Sequence, residues 1–159
     1  MLLASASAFA QPLFRNASET EIAGDWVLLP LTASLEPPGR NPWPAECQWF
    51  SYSPTGMLKS IDRLKGPCPA ISSPALEKAL AEVPAVQAWK YDMSPVYKRA
   101  VVLVTRSDVR GYMEVWDPQI VLRPFTKDGV EFMEGDLILY LANLSTHRIV
   151  WIRHLRRIE

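Results

Sequence analysis

Few residues in this sequence have the types and spacings that enzyme catalysis requires. The 159-residue chain contains two histidines, His147 and His154, and two cysteines, Cys47 and Cys68. The motifs G-x-S-x-G, the Walker-type loop and H-E-x-x-H do not occur, so nothing marks a serine nucleophile, a phosphate-binding loop or a zinc hydrolase. We therefore expect a protein without catalytic residues and without a cofactor, which is not an enzyme.

The two cysteines could hold a metal ion or form a disulfide. A zinc site needs three or four protein ligands, but the cysteines have no C-x-x-C spacing and both histidines lie far downstream. The sequence therefore predicts no metal site. It predicts a Cys47–Cys68 disulfide, which would stabilise an exported protein by about 3 kcal/mol. In a cytosolic protein the same residues would be two free cysteines in the core.

The first residues are similar to an export signal. Ala8-Phe9-Ala10 fits the small-x-small pattern that precedes a signal-peptidase cut. We expect residues 1–18 to be a clipped signal peptide and a disordered leader, with the mature chain beginning near Gln11. Residues 19–159 would then form a single domain in the periplasm or outside the cell. The alternative is an unstructured tail rich in alanine and serine.

Composition excludes several classes of protein. Seventeen basic residues balance seventeen acidic ones, which argues against a nucleic-acid binder that depends on bulk charge. A hydrophobic fraction of 48% argues against a mostly disordered chain. No apolar run approaches the ~20 residues that span a bilayer. We therefore expect no nucleic-acid partner and no transmembrane segment.

Prolines mark one long loop and the ends of one helix. Five of them fall within residues 30–46, and proline lacks the N–H donor that a helix or a central strand needs. This segment predicts a lid or a binding loop, and it carries Trp43. Further along, Ser73 as the N-cap, Pro74 at the first helical position and Pro84 after the last predict a short helix near residues 74–83.

Short β-prone runs separated by turn residues cover most of the remaining chain. Pro54-Thr55-Gly56 and Lys127-Asp128-Gly129 predict tight turns. The predicted strands are 22–29, 47–53, 57–63, 96–105, 112–116, 120–125, 130–133, 136–142 and 148–157. About eight strands in meander order favour an antiparallel barrel or a sandwich.

Gly24-Asp25-Trp26, at the start of the first predicted strand, resembles the G-x-W motif of lipocalins and related calycin-type barrels. The resemblance implies a mainly β fold, with about eight antiparallel strands in a meander barrel. It also implies that Trp26 closes the barrel floor and that an arginine of the last strand crosses its ring. We expect Arg153 or Arg156 in that role. The loop over residues 30–46 resembles the lid loop of that family.

Six tryptophans are more than packing requires in a chain of this size, although core filling accounts for most of them. A barrel interior lined by several aromatic rings would suit a flat apolar ligand. The candidate ligand contacts are Trp43, Trp49, Trp89, Tyr97, Trp116 and Arg153. The arginines at the end of the chain are interpreted as a solvated strand end with one barrel-closing residue, and the alternative is an anion or partner patch.

These observations predict an exported, lipocalin-like β-barrel that binds a small apolar or amphipathic ligand without chemistry. The alternative is a protein-interaction module, an inhibitor or an accessory subunit, that uses the Pro-rich loop 30–46. A third hypothesis is an enzyme with its active site at the barrel mouth, but no catalytic motif supports it. A roomy interior lined by aromatic rings would favour the ligand-binding protein, and a filled barrel would favour the interaction module.

Overall fold

The computed structural model describes residues 12–36, 45–63, 65–84, 88–96, 100–107, 111–143, 145–146 and 148–159. The elements, in chain order, are β1 (Phe14–Asn16), α1 (Glu19–Ile22), β2 (Gly24–Leu29), β3 (Cys47–Tyr52), β4 (Met57–Arg63), α2 (Ser73–Ala81), β5 (Trp89–Val96), β6 (Ala100–Ser107), β7 (Tyr112–Val121), β8 (Phe125–Lys127), β9 (Val130–Phe132), β10 (Leu137–Asn143) and β11 (Arg148–Arg157).

Eight of these strands close into an antiparallel barrel. Hydrogen-bonded neighbours follow the order β7-β10-β11-β2-β3-β4-β5-β6, and β6 pairs again with β7. The prediction of a mainly β, eight-stranded antiparallel barrel with one short helix near residues 74–83 is confirmed. No helix in the described part of the chain is long and apolar enough to cross a membrane.

The barrel interior holds the main core. Because successive side chains of a strand point to opposite faces, Trp26 and Leu28 of β2 pack inside, whereas Val27 packs on the outer face. The buried members of the inner cluster are Ala17, Ile22, Trp26, Phe50, Tyr52, Leu58, Tyr91, Leu103, Trp116, Ile120, Leu137, Leu139, Trp151 and Leu155. These side chains occupy the interior of the barrel.

Two smaller clusters cover parts of the outer face. Helix α2 packs Leu76 and Leu80 against Trp49 of β3. The hairpin of β8 and β9 packs Phe132 against Ile138 of β10. The barrel wall is therefore buried on both faces where these two elements cover it.

A disulfide ties the connection before α2 to the barrel. Cys47 of β3 and Cys68 are bonded, and their Cα atoms lie 4.9 Å apart. The predicted Cys47–Cys68 pairing is confirmed. It holds the segment around residue 68 against the outer face of β3.

Helix α2 is shorter than predicted, and it begins earlier. Ser72 is the N-cap, and Ser73 is the first helical residue rather than the cap. Pro74 lies in the first turn, where its missing N–H leaves no intrahelical bond unmade. The helix ends at Ala81, before the predicted boundary at residue 83.

Strand β7 runs unbroken through Pro118, although the sequence analysis predicted two strands, 112–116 and 120–125. Residues 112–116 pair with β6 and residues 119–121 pair with β1, so Pro118 lies at the junction between the two partners. The carbonyl of Pro118 accepts a hydrogen bond from the N–H of Ala17 at 2.9 Å. No ladder bond at this junction needs the N–H that proline lacks.

The predicted strand 96–105 is also wrong in its boundaries. Strand β5 occupies Trp89–Val96 and pairs antiparallel with β6, which begins at Ala100. Because β5 ends and β6 begins with apolar residues, the sequence pattern did not separate the two strands.

The described N-terminal residues belong to the fold. Phe14–Asn16 form strand β1, which pairs with β7, and Ala17 is buried. The expectation that all of residues 1–18 lie outside the fold is therefore wrong for this segment.

Candidate functional site

The barrel floor is built around Trp26. Its ring is fully buried, and its Nε1 donates a hydrogen bond of 2.9 Å to the carbonyl of Ile22. The guanidinium of Arg157 lies 4.3 Å from the ring centroid and donates to the carbonyls of Glu21 and Ala23. Arg157 therefore clamps helix α1 across the tryptophan. The closing arginine is Arg157, and the prediction of Arg153 or Arg156 is wrong because the strand register pairs Trp26 with Arg157.

Gly24 makes this clamp possible. A Cβ atom added at Gly24 would overlap Nη1 of Arg157, and the backbone φ of +139° disfavours any other residue. The glycine of the G-x-W triplet, Gly24, therefore leaves room for the guanidinium of Arg157, which lies over the ring of the tryptophan, Trp26.

Arg153 lies inside the barrel and not at its floor. Its guanidinium sits 5.0 Å from the ring centroid of Phe50 and 4.4 Å from that of Trp116. Burial lowers the pKa of Arg153, and the carboxylate of Glu114 acts in the opposite direction. The aromatic faces stabilise this buried cation.

Arg156 lies on the outer face, where it belongs to a buried polar cluster. Its Nε and NH2 atoms donate to Asp136 at 2.9 and 2.8 Å, and Nε2 of His154 lies 2.7 Å from the same carboxylate. The ring of Phe132 stacks on that of His154 with centroids 4.4 Å apart. This cluster fastens the β8–β9 hairpin to the barrel, so Arg156 has a structural role different from the predicted one.

The carboxylate of Asp136 stays ionised to low pH. Burial by itself would raise its pKa. Hydrogen bonds from Arg156, His154 and the N–H of Met133 outweigh burial and lower the pKa of Asp136 to about 2.

The structure does not bring the candidate ligand contacts together. Trp116 is buried in the interior and Trp89 packs against the inner cluster. Trp49 faces outward beneath α2, although the sequence analysis suggested that it could face the interior. Trp43 and Tyr97 lie outside the described residues.

A groove of about 780 Å³ lies along β2 and β11. Its lining includes outer-face residues such as Val27 and Ile152, and also Leu28 and Trp151 of the inner cluster. One wall is the segment 67–71, which the disulfide holds, and the other consists of residues at the described ends of the Pro-rich loop: Pro30, Leu31, Glu36, Ala45 and Glu46. Its apolar lining includes Val27, Leu29, Leu31, Ile71, Ile152 and Ile158. Of the six candidate contacts, Trp49 lines the groove.

The groove contains residues that the sequence analysis missed. Ile152 belongs to β11, Ile158 directly follows that strand, and Ile71 follows the disulfide. The predicted Cys47–Cys68 bond was the available signal, because it brings segment 67–71 beside Trp49. No comparable sequence signal indicated which residues of β2 face outward into the groove.

Trp49 has an unusual environment at this groove. Its side chain is buried with 6% of its surface exposed, and its Nε1 has no hydrogen-bond partner among the described residues. Its buried neighbours in the outer cluster are Cys47, Leu76 and Leu80, whose side chains offer no strong acceptor. Among those residues the indole N–H is therefore a donor without a partner.

A second cavity, of about 640 Å³, lies on the other side of α2. Its walls carry the charged side chains of Asp25, Lys59 and Glu77. Such walls suit an apolar ligand less well than those of the first groove.

No group of three or more His, Cys, Asp or Glu side chains within the described ranges could hold a metal ion. Comparisons with protein family models, curated proteins and solved structures found no match to this chain.

Proposed function

We propose that this chain is an exported, lipocalin-like binding protein that holds a small apolar or amphipathic ligand and performs no chemistry. The Trp26–Arg157 contact in a closed eight-stranded barrel supports the resemblance, because an arginine crosses the tryptophan of the G-x-W triplet. The disulfide supports export, since disulfides persist in oxidising compartments.

The groove on β2 and β11 is the observation that carries the ligand-binding function. Its volume of about 780 Å³ falls within the range of small-molecule sites, roughly 300–1,000 Å³. The strands and the disulfide hold its floor and one wall in place, so little order would be lost on binding. The proposed site therefore lies beside the Pro-rich loop, on the outer face of β2 and β11, and it also meets Leu28 and Trp151 of the inner cluster.

Titration with an environment-sensitive apolar dye tests this function. Ala70 lines the groove and is exposed, so Ala70→Trp places an indole in the ligand's space. Ala75 is exposed on α2 and lines neither cavity described above, so Ala75→Trp is the matched control. We expect saturable binding by the wild type and by Ala75→Trp, and binding at least about tenfold weaker by Ala70→Trp. Absence of binding by the wild type, or equal binding by both variants, would contradict the proposal.

A protein-interaction module is the second candidate, and a specific observation favours it. The barrel interior is occupied by its own side chains, and the ends of the loop 30–46 line the outer groove. Loop and groove could together recognise a segment of another protein. This candidate predicts a partner that binds the immobilised wild type and Ala75→Trp but not Ala70→Trp, under conditions where the dye does not bind.

A further inference from the structure

We infer that the ligand of the outer groove carries an uncharged hydrogen-bond acceptor that pairs with Nε1 of Trp49. This inference rests on the proposed function and adds the chemical class of the ligand. Suitable acceptors are the oxygen atoms of a ketone, ester, amide or ether attached to an apolar body.

The first support is the unpartnered indole N–H. Native proteins pair nearly all buried donors, because a buried polar group without a partner loses its bonds to water and gains none. Trp49 is buried, and its Nε1 lacks a partner among the described residues. An acceptor is therefore expected at this position in the working state of the protein.

The second support is the location of Trp49. The side chains packed on its protein side, those of Cys47, Leu76 and Leu80, carry no oxygen. The groove is the open space that Trp49 lines. Nε1 itself has almost no exposed surface, so an acceptor on a bound molecule would reach it from that side as the neighbouring side chains shift on binding.

The third support concerns charge. The carboxylates of Glu36, Glu46 and Glu159 line the groove. Its two arginines are already engaged, since Arg156 pairs with Asp136 and Arg157 donates to backbone carbonyls. The three carboxylates outnumber the one arginine that has no carboxylate partner among the described residues, so an anionic acceptor would meet net negative charge and a neutral oxygen is favoured.

Three related dyes provide the test. The first is a neutral dialkylaminonaphthalene that bears one acyl group, the second lacks the acyl group, and the third has a carboxylate in its place. We expect the wild type to bind the acyl dye about fivefold more tightly than the acyl-free dye, as one net hydrogen bond would give. The carboxylate dye should bind more weakly than the acyl dye.

The variant Trp49→Phe removes the donor and keeps an aromatic ring, and we expect it to bind the acyl and acyl-free dyes within about twofold of each other. Trp89 packs against the inner cluster and is not among the described residues that line the groove, so Trp89→Phe is the matched control and should keep the wild-type preference.

A measurement on the wild-type protein keeps the inference falsifiable if Trp49→Phe folds poorly. The indole N–H resonance of Trp49 should move downfield when the acyl dye binds and should not do so with the acyl-free dye. Equal affinities for both dyes, with no such shift but with binding blocked in Ala70→Trp, would overturn the inference and leave the proposed function intact. Failure of all three dyes to bind the wild type would overturn both.

Discussion

Arg157, the last residue of β11, holds three parts of the barrel floor together. Its guanidinium stacks on Trp26 and donates to the carbonyls of Glu21 and Ala23. The stack and the two hydrogen bonds join α1 to the last strand, which are far apart in the sequence.

Replacing this cation tests its contribution to stability. Arg157→Met keeps an unbranched apolar side chain and removes the guanidinium, and we expect it to lower the free energy of unfolding by about 1–2 kcal/mol. Arg148 is exposed at the other end of β11, so Arg148→Met should change the free energy by less than about 0.5 kcal/mol. Urea unfolding measures both. Equal effects of the two substitutions would show that the stack does not stabilise the barrel floor.

The lowered pKa of Asp136 predicts how the free energy of unfolding depends on pH. Its pKa in the folded protein is about 2, below the value of about 3.9 expected in the unfolded chain. The unfolded state therefore binds this proton more readily, and the carboxylate stabilises the fold above about pH 4. That contribution is lost as the pH falls from about 4 to about 2.

We expect Asp136→Asn to lose about 3 kcal/mol at neutral pH, because Arg156 and His154 lose a buried anion. Between about pH 4 and 2 the variant should lose less stability than the wild type. Asp92→Asn removes the partner of Arg106 in an exposed pair, so its cost should stay below about 1 kcal/mol. Parallel acid profiles for the wild type and Asp136→Asn would rule out this role of the carboxylate.

At the scale of the element, β3 shows why the sequence pattern misplaced one tryptophan. Trp49 and Phe50 are neighbours, and both are buried, one beneath α2 and the other inside the barrel. A strand that is covered on both faces shows no alternation between apolar and polar residues. The pattern could therefore predict the strand but not which face pointed inward.

The disulfide is the strongest prediction at this scale. It closes a loop with a sequence separation of 21, and Cys68 lines the groove. Thiol titration of the unfolded, unreduced protein should find no free thiol, and after reduction it should find both. Reduction should lower the free energy of unfolding by about 3 kcal/mol and weaken dye binding. Two free thiols before reduction would contradict the assignment.

At the scale of the whole molecule, the sequence predicts the class of fold better than the contacts within it. Turn residues and apolar runs indicate a meander of about eight strands, because each strand and turn is encoded locally. The stagger between strands is not local, and it decides that Arg157 rather than Arg153 meets Trp26. For the same reason the groove, whose lining comes from β2, β3, β11 and two connections, could not be located from the sequence.

The position of β11 has a consequence for the way this protein reaches its native state. The last strand lies between β10 and β2, the first strand of the barrel. Strand β11 pairs with β10 as a local hairpin, but its pairing with β2 joins distant parts of the chain, and contacts of that kind form slowly. Until that pairing forms, β2 and β11 each present an edge of unpaired backbone groups, and such edges promote aggregation. The most vulnerable species is therefore a nearly complete, open sheet, and a holding chaperone would protect this chain best by covering those two edges until they pair.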